Sequence, residues 1–364
     1  MPLVNILKNQ GSRMNHLTTL LITTLSFLIL SCSSTDTNGI PEQTLYLEPF
    51  FRNVSDEDEY IFTRPFHLTS DNHGNIYVAD VIERRIMSYT PDGTFRFRVA
   101  GRGRGPGEVE TIRAMRTDKN NVLYVVDGAM QRVSLFDMTG TLLNSFNFNG
   151  SFPSDVALSP DGEIAIIAPA MNEPLVVVYD RNGEHIRTIG ETEALGNIWF
   201  PDQPTPVTTG NRNMGLIGFN SRGELFVLYR MRPVMQIYSP DGSLLIEHEL
   251  TSTEIDSLRD REYREYERAR EQFGRIPNLL AGIDYFNGLQ MLDDDTFLVS
   301  LSYRRILKQI DRNGNILKTY RIINDEKKTG IDRFSIGEIA STPDGELLVL
   351  DPYTNATVFR LVEE

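Results

Sequence analysis

Six copies of one internal spacing constrain this 364-residue chain more than any other feature. The clearest copy is DNHGNIYVADVIERRIMSYTPDGTFRFRVAGRGRGPGEV, from Asp71 to Val109. It reads turn, strand, loop, strand, Asp-Gly turn, strand, then a glycine-rich loop. Ile76–Ala79 and Ile86–Tyr89 are β-branched and aromatic runs bounded by turn residues, the composition of strands. Asp92-Gly93 suits a tight hairpin, because both residues tolerate positive φ. Gly74 has counterparts at Asn121, Gly162, Gly223, Asp295 and Gly345. The second turn follows at Gly93, Gly140, Gly183, Gly242 and Gly314, 19 residues on in four copies and 21 in the third. Six residues before each reference position stand Leu68, Met115, Val156, Ile217, Leu289 and Ile339, all apolar.

A fixed offset with apolar residues in phase marks a repeat architecture. Six copies of a three- to four-stranded unit predict an all-β fold, a six-bladed β-propeller. Blade one is expected as strands a to d at Pro65–Thr69, Asn75–Asp80, Arg85–Tyr89 and Thr94–Ala100. The other innermost strands are expected near Arg113–Thr117, Asp155–Ser159, Leu216–Phe219, Gly288–Met291 and Glu338–Ser341. The sixth copy has no outer strand of its own after strand c, Thr357–Leu361. Thr44–Leu47 precedes the first blade and belongs to none, so it is expected to pair onto that strand c. Closing the ring in this way removes two sheet edges that would otherwise invite aggregation.

GNIYVAD at Gly74–Asp80, Arg85-Ile86 shortly after, and GRGRGPGEV at Gly101–Val109 resemble an NHL repeat. Val122–Asp127 with Arg132 keeps most of that pattern, and the remaining copies keep only strands and turns. From about Glu42 to Glu364 the chain resembles the six-bladed β-propeller lipoproteins of Bacteroidetes-like bacteria, with NHL- or gluconolactonase-like blades. That resemblance implies a fold and leaves the function open, since propellers host unrelated activities.

The first 32 residues read as a segment outside the fold. Lys8 and Arg13 precede an apolar run, Leu17 to Leu30, that ends Ile29-Leu30-Ser31-Cys32. A short apolar run behind basic residues is a secretory signal, too brief for a comfortable membrane-spanning helix. The small residue before Cys32 resembles a bacterial lipobox, which implies cleavage and lipidation at Cys32. Met14 is an alternative start. Residues 33–42 are polar and turn-rich, a tether ahead of a propeller expected over 43–364. These features place the protein in a bacterial cell envelope, joined to the membrane through Cys32. Asp36 close behind Cys32 is compatible with the outer surface, and the membrane face stays open. Cys32 is the only cysteine, so no intrachain disulfide can form.

The net charge is −14, and the first 32 residues hold two basic and no acidic residues, so the remainder is more acidic still. Such a chain repels phosphate backbones, which argues against nucleic acid as a partner. The expected partners are a small molecule, a glycan or an envelope protein, recognised by a monomer.

The reference positions are spaced 47, 41, 61, 72 and 50 residues apart, so the extra length falls in two d-to-a connections, Glu191 to Met214 and Thr251 to Tyr285. Those connections and the b-to-c loops emerge on one face, and binding residues concentrate on loops held by a rigid frame. The second insertion, between blades four and five, predicts a helix over Ser252–Phe273. Thr251-x-x-Glu254 reads as its capping box. Ile255, Leu258, Tyr263, Tyr266, Ala269 and Phe273 would form its apolar face.

Candidate ligand-binding residues on this face are Arg102, Arg104, Trp199, Phe200, Tyr285 and Arg304, since aromatic and arginine side chains serve sugar rings and protein hot spots alike. Asp80 and Arg85, like Asp127 and Arg132, stand five apart across a b-to-c loop and are read as structural ties. The glycine-rich loop lacks the following helix that a nucleotide site needs. No nucleophile elbow, triad order, HExxH or Cys/His spacing occurs, and no cofactor motif. Three residues at one height of the channel, His67, Asp155 and Glu338, could ligate zinc or manganese. The sequence thus supports a lipid-anchored binding module, with a metal-dependent lyase or lactonase in the channel, or an assembly scaffold, as alternatives.

Overall fold

A computed structural model describes residues 34–35, 39–51, 61–197, 200–274, 282–292, 295–325, 333–354 and 356–363. The signal segment with Cys32, and Trp199, lie outside the described residues. A two-residue strand, β1 (Ser34–Thr35), folds back on β2 (Pro41–Pro49). Blade one is β3 (Pro65–Ser70), β4 (Ile76–Asp80), β5 (Arg85–Tyr89) and β6 (Phe95–Ala100). Blade two is β7 (Ile112–Thr117), β8 (Leu123–Asp127), β9 (Arg132–Phe136) and β10 (Leu142–Asn147). Blade three is β11 (Asp155–Leu158), β12 (Ile164–Ile167), β13 (Pro174–Tyr179) and β14 (His185–Glu191). Helix α1 (Pro206–Arg212) then leads into blade four, β15 (Gly215–Phe219), β16 (Leu225–Tyr229), β17 (Val234–Tyr238) and β18 (Leu244–Glu249). Helix α2 (Thr253–Phe273) leads into blade five, β19 (Phe286–Met291), β20 (Phe297–Leu301), β21 (Ile306–Ile310) and β22 (Ile316–Ile323). Blade six is β23 (Ile339–Ser341), β24 (Leu347–Asp351) and β25 (Thr357–Val362). The chain is an all-β, six-bladed β-propeller.

The inner strands touch in the order β3, β7, β11, β15, β19, β23, and β23 returns to β3. Their apolar residues Leu68, Met115, Val156, Ile217, Leu289 and Ile339 are all buried. Each faces a β-branched partner on strand b: Val78, Val125, Ile166, Val227, Val299 and Val349 respectively. Stiff branched side chains pack well on a pleated surface. Among the described residues the buried apolar side chains form six clusters, one between each pair of neighbouring blades. Alternation along strand b feeds two of them: Ile76 and Val78 join the cluster toward blade six, Tyr77 and Ala79 the one toward blade two. Strand b, covered on both faces, is buried along its whole length and apolar up to its terminal aspartate in β8, whereas the outer strand β10 alternates between half-buried and exposed residues.

Blade five approaches blade six closely at Gly288, where an added Cβ would lie 3.0 Å from the Ile339 amide nitrogen. Ring closure is done by β2. Its residues Tyr46–Pro49 pair antiparallel with β25, and Glu42–Tyr46 pair parallel with β22. Blades five and six therefore share one continuous sheet.

Two features of the insertions differ from the sequence reading. Helix α1 was not anticipated; Thr205 and Thr208 form a capping box around Pro206 at its start. Helix α2 is capped by Ser252, whose Oγ accepts from the Ile255 amide, and not by Thr251. Its buried residues are Ile255, Leu258, Glu262 and Tyr266, while Tyr263 and Phe273 are exposed.

Leu45 and Leu47 of β2 are buried in the cluster between blades five and six. Burying each side chain stabilises by about 1.5–3 kcal/mol before any ladder bond is counted, out of a typical total of about 5–15 kcal/mol. Deleting residues 42–49 should lower the melting temperature by about 10 °C or more. An unchanged melting temperature would show that β2 does not hold the ring closed.

Candidate functional site

Antiparallel blades put the b-to-c loops and the d-to-a connections on one face of the propeller and the tight turns on the other. The elaborated face is tied down by the repeated Asp and Arg. Asp80 accepts from the Thr63 and Arg64 amides at 2.7 and 3.2 Å, and Asp127 from the Glu110 and Thr111 amides at 2.7 and 3.1 Å. Arg85 and Arg132 do not bond these aspartates. Arg85 donates to the Ile61 carbonyl, and Arg132 to the Arg104 and Glu108 carbonyls. Each Asp and Arg thus holds the connection that enters its own blade, one through N–H groups and the other through carbonyls.

The two insertions meet at Glu262 of α2. The Tyr285 hydroxyl donates to it at 2.6 Å, and Arg212 of α1 lies 3.5 Å from its other oxygen. Burial pushes the Glu262 carboxyl and the Tyr285 hydroxyl up from their ordinary values. The first turn of α2 is fixed on blade five by Glu254, 3.0 Å from the fully buried ammonium of Lys308.

In the channel, Asp155 and Glu338 converge on the guanidinium of Arg116, and His67 lies beside Glu338. Its Nη1 lies 2.7 Å from Glu338 Oε1 and its Nη2 3.1 Å from Asp155 Oδ1. Glu338 Oε2 also accepts from the Leu68 amide at 2.7 Å and lies 3.4 Å from His67 Nδ1. Asp155 Oδ2 accepts from the Ile217 amide at 2.9 Å. The Asp155 and Glu338 carboxylates are therefore satisfied by a guanidinium and by backbone amides, and His67 faces Glu338. Among the described residues no group of three or more His, Cys, Asp or Glu is placed to hold a metal. Burial raises the Asp155 carboxyl. For Glu338 burial acts in the same direction, but Arg116 and His67 outweigh it and hold the carboxyl below its ordinary value. The network separates a hollow of about 200 Å³ beside Thr69 and Thr117 from one of about 340 Å³ beside Phe66 and His67.

A cavity of about 630 Å³, larger than either channel hollow, lies on the elaborated face between blades five and six. It falls within the usual range for small-molecule sites. Arg261 of α2 and Tyr303, Arg304 and Arg305 of the β20–β21 loop form one side. Phe334 and Ser335 before β23, with Tyr353 of the β24–β25 loop, form the other. Tyr303 and Tyr353 are each 59% exposed. Arg261 stands 3.8 Å from the Tyr303 ring centroid, and Arg305 4.5 Å from that of Phe334. Arg64 of blade one stacks over Tyr353 at 5.1 Å.

Of the expected ligand-binding residues that are described, Arg304 alone lines this cleft. Tyr285 is buried under α2 and unavailable to a ligand. Arg102 and Arg104 are exposed on the glycine-rich loop, which folds over the Glu108 carboxylate; this accepts from the Gly105 amide at 2.7 Å. Phe200 is half-buried beside α1, with its amide on Asn197. The sequence reading missed Tyr303, Arg305, Phe334 and Tyr353. For Tyr303, Arg305 and Tyr353 the signal was an aromatic or arginine at the b-to-c loops of two adjacent blades, while Phe334 lies in the connection before β23.

Replacing Arg116 with Met would leave two buried carboxylates without a counter-charge, at a cost of about 3–5 kcal/mol. In the native protein the lowered Glu338 value means that its contribution is present above the unfolded carboxylate value of about 4.3 and lost as pH falls through the folded one. In Arg116→Met both carboxyls would titrate above their unfolded values, so stability should rise between pH 7 and 5. Urea unfolding at the two pH values reads this directly. A variant as stable as the native protein at pH 7 would contradict it.

The sequence profile of a family described as a 6-bladed beta-propeller matches residues 57–205. No curated protein sequence matches the chain. Among solved structures, a Bacteroides fragilis protein thought to be exported aligns at 12% identity and a TM-score of 0.55, covering 89% of this chain and 99% of its own. A streptogramin B lyase aligns at 12% identity and 0.51, covering 87% and 97%. The hydrazine synthase of Kuenenia stuttgartiensis aligns at 11% and 0.52, covering 85% and 99%. Neighbours of such different chemistry, at such low identity, share with this chain the β-propeller fold alone.

Proposed function

We propose that the protein is a lipid-anchored binding module of the bacterial cell envelope, which takes a small ligand or glycan in the cleft between blades five and six. One observation carries this reading. The cleft combines exposed aromatic rings with arginines on the face that holds both insertions, while the channel is occupied by the Arg116 network. Binding sites built on loops over a rigid frame follow the general logic of such scaffolds. The envelope part rests on the signal-like run that ends at Ser31-Cys32.

Two measurements test it. Cys32→Ser should move the protein from the membrane fraction to the soluble one, and a native protein already soluble would contradict lipidation. In a thermal-shift screen of glycans and metabolites, a ligand that stabilises the native protein should lose its effect in Tyr353→Ala and Arg305→Ala. Equal shifts in both variants, with loss only in His67→Ala, would move the site to the channel mouth.

A further inference from the structure

Many arginines of this protein are paired with carboxylates. Arg187, Arg222, Arg230, Arg312 and Arg360 each meet a carboxylate, as an acidic chain allows. Among the described residues, Arg261, Arg304 and Arg305 form no ion pair. Among the described lining residues the carboxylate is that of Asp284, which Arg230 meets at 3.0 Å. Arg304 is held by a 2.6 Å bond from Nη2 to Ser257 Oγ, and its buried Nε has no hydrogen-bond partner. Arg305 is held by stacking on Phe334. Two guanidinium groups from consecutive residues are therefore oriented with donors unused, and a guanidinium fork matches a carboxylate in a bidentate pair.

The rest of the lining specifies what carries that carboxylate. Arg261 covers one face of Tyr303, so only its other face is left for a ligand. Tyr303 and Tyr353 are open to solvent at the tips of neighbouring loops and do not enclose an apolar slot. Rings so placed suit the C–H face of a sugar, which has an apolar side and a hydroxylated edge. Asn287 and Ser302 at the base of the cleft are bonded to each other at 2.6 Å, and Asn287 Nδ2 donates to the Ile336 carbonyl at 2.9 Å, so they brace the cleft wall.

We propose that the cleft binds a carboxylate-bearing sugar, an oligosaccharide of the uronic acid class, with Arg304 and Arg305 on the carboxylate and Tyr303 and Tyr353 against the ring. This inference rests on the reading of the cleft as the ligand site.

The test is titration calorimetry of the full chain with galacturonate, mannuronate and guluronate trimers, their methyl esters, a neutral galactose trimer and inorganic phosphate. At least one acidic trimer should bind, and its methyl ester should bind about tenfold or more weakly, because hydrogen bonds to a charged group are the strong ones. Arg304→Gln and Arg305→Gln should each weaken the acid about tenfold or more and barely affect the ester. Tyr353→Ala should weaken both alike. Arg305 is exposed, so its variant is expected to fold even if Arg304→Gln does not. Equal affinity for acid and ester, phosphate binding as tightly as the trimers, or no binding of any uronate would overturn the proposal. A neutral trimer whose binding is lost in Tyr353→Ala would overturn the acidic class and leave the cleft as the site. Sugar binding indifferent to all three variants would remove the cleft itself.

Discussion

The pairing of β2 with two different blades is the interaction on which the rest of the structure depends. A ring of independent four-stranded sheets is held by side-chain packing alone, and it opens at its weakest junction. Here the break in the chain falls inside blade six, whose strands β23–β25 come last in the sequence and whose outer strand β2 comes first, so that packing alone would otherwise join the two ends. A strand that is antiparallel to β25 and parallel to β22 replaces that weak contact with backbone ladders on both sides. Arg321 on β22 extends the tie by pairing with Glu42 of β2 at 2.6 Å, and it lies 3.5 Å from Glu254 of α2. Closure strand, outer strand and insertion helix are thereby coupled. The cleft with its arginines lies between the same two blades.

The channel shows a different use of charge. Arg116 from blade two reaches Glu338 in blade six and Asp155 in blade three, and those carboxylates in turn accept amides of blades one and four. One buried network thus touches five of the six inner strands. Such networks contribute little net stability against an apolar alternative, but breaking one partner is costly, so they favour a single arrangement of the blades over near alternatives. With its polar groups turned on one another, the channel has few left for a ligand. Arg304 and Arg305 sit instead on a loop, where the repeat no longer dictates the residue.

Much of this was legible in the sequence where the repeat carries it. Turn residues such as Gly74 and Gly93, with the apolar residue six positions earlier, locate strands because each obeys a local backbone or burial rule. What failed depends on partners distant in sequence. Tyr263 and Phe273 fit the helical period of α2 yet face solvent, because Glu262 is drawn inward by Arg212 and Tyr285. Helix α1 has only seven residues, one of them Gly210, too short for a periodic signal, although Thr205-Pro206 is a recognisable start. His67, Asp155 and Glu338 were found as a set, but the long side chain that reaches them starts from Arg116, one step beyond the apolar Met115. Arg304 was found in the cleft. Tyr303, Arg305 and Tyr353 were not, since single residues in two loops converge only once the blades are placed side by side.

The most direct measurement of this account is a crystal structure of the protein bound to its tightest-binding oligosaccharide. The account predicts electron density between blades five and six, with a carboxylate in contact with Arg304 and Arg305, a ring against Tyr353, and the Arg116 network unchanged. Density in the channel, with Arg116 displaced from Glu338 and Asp155, would contradict it.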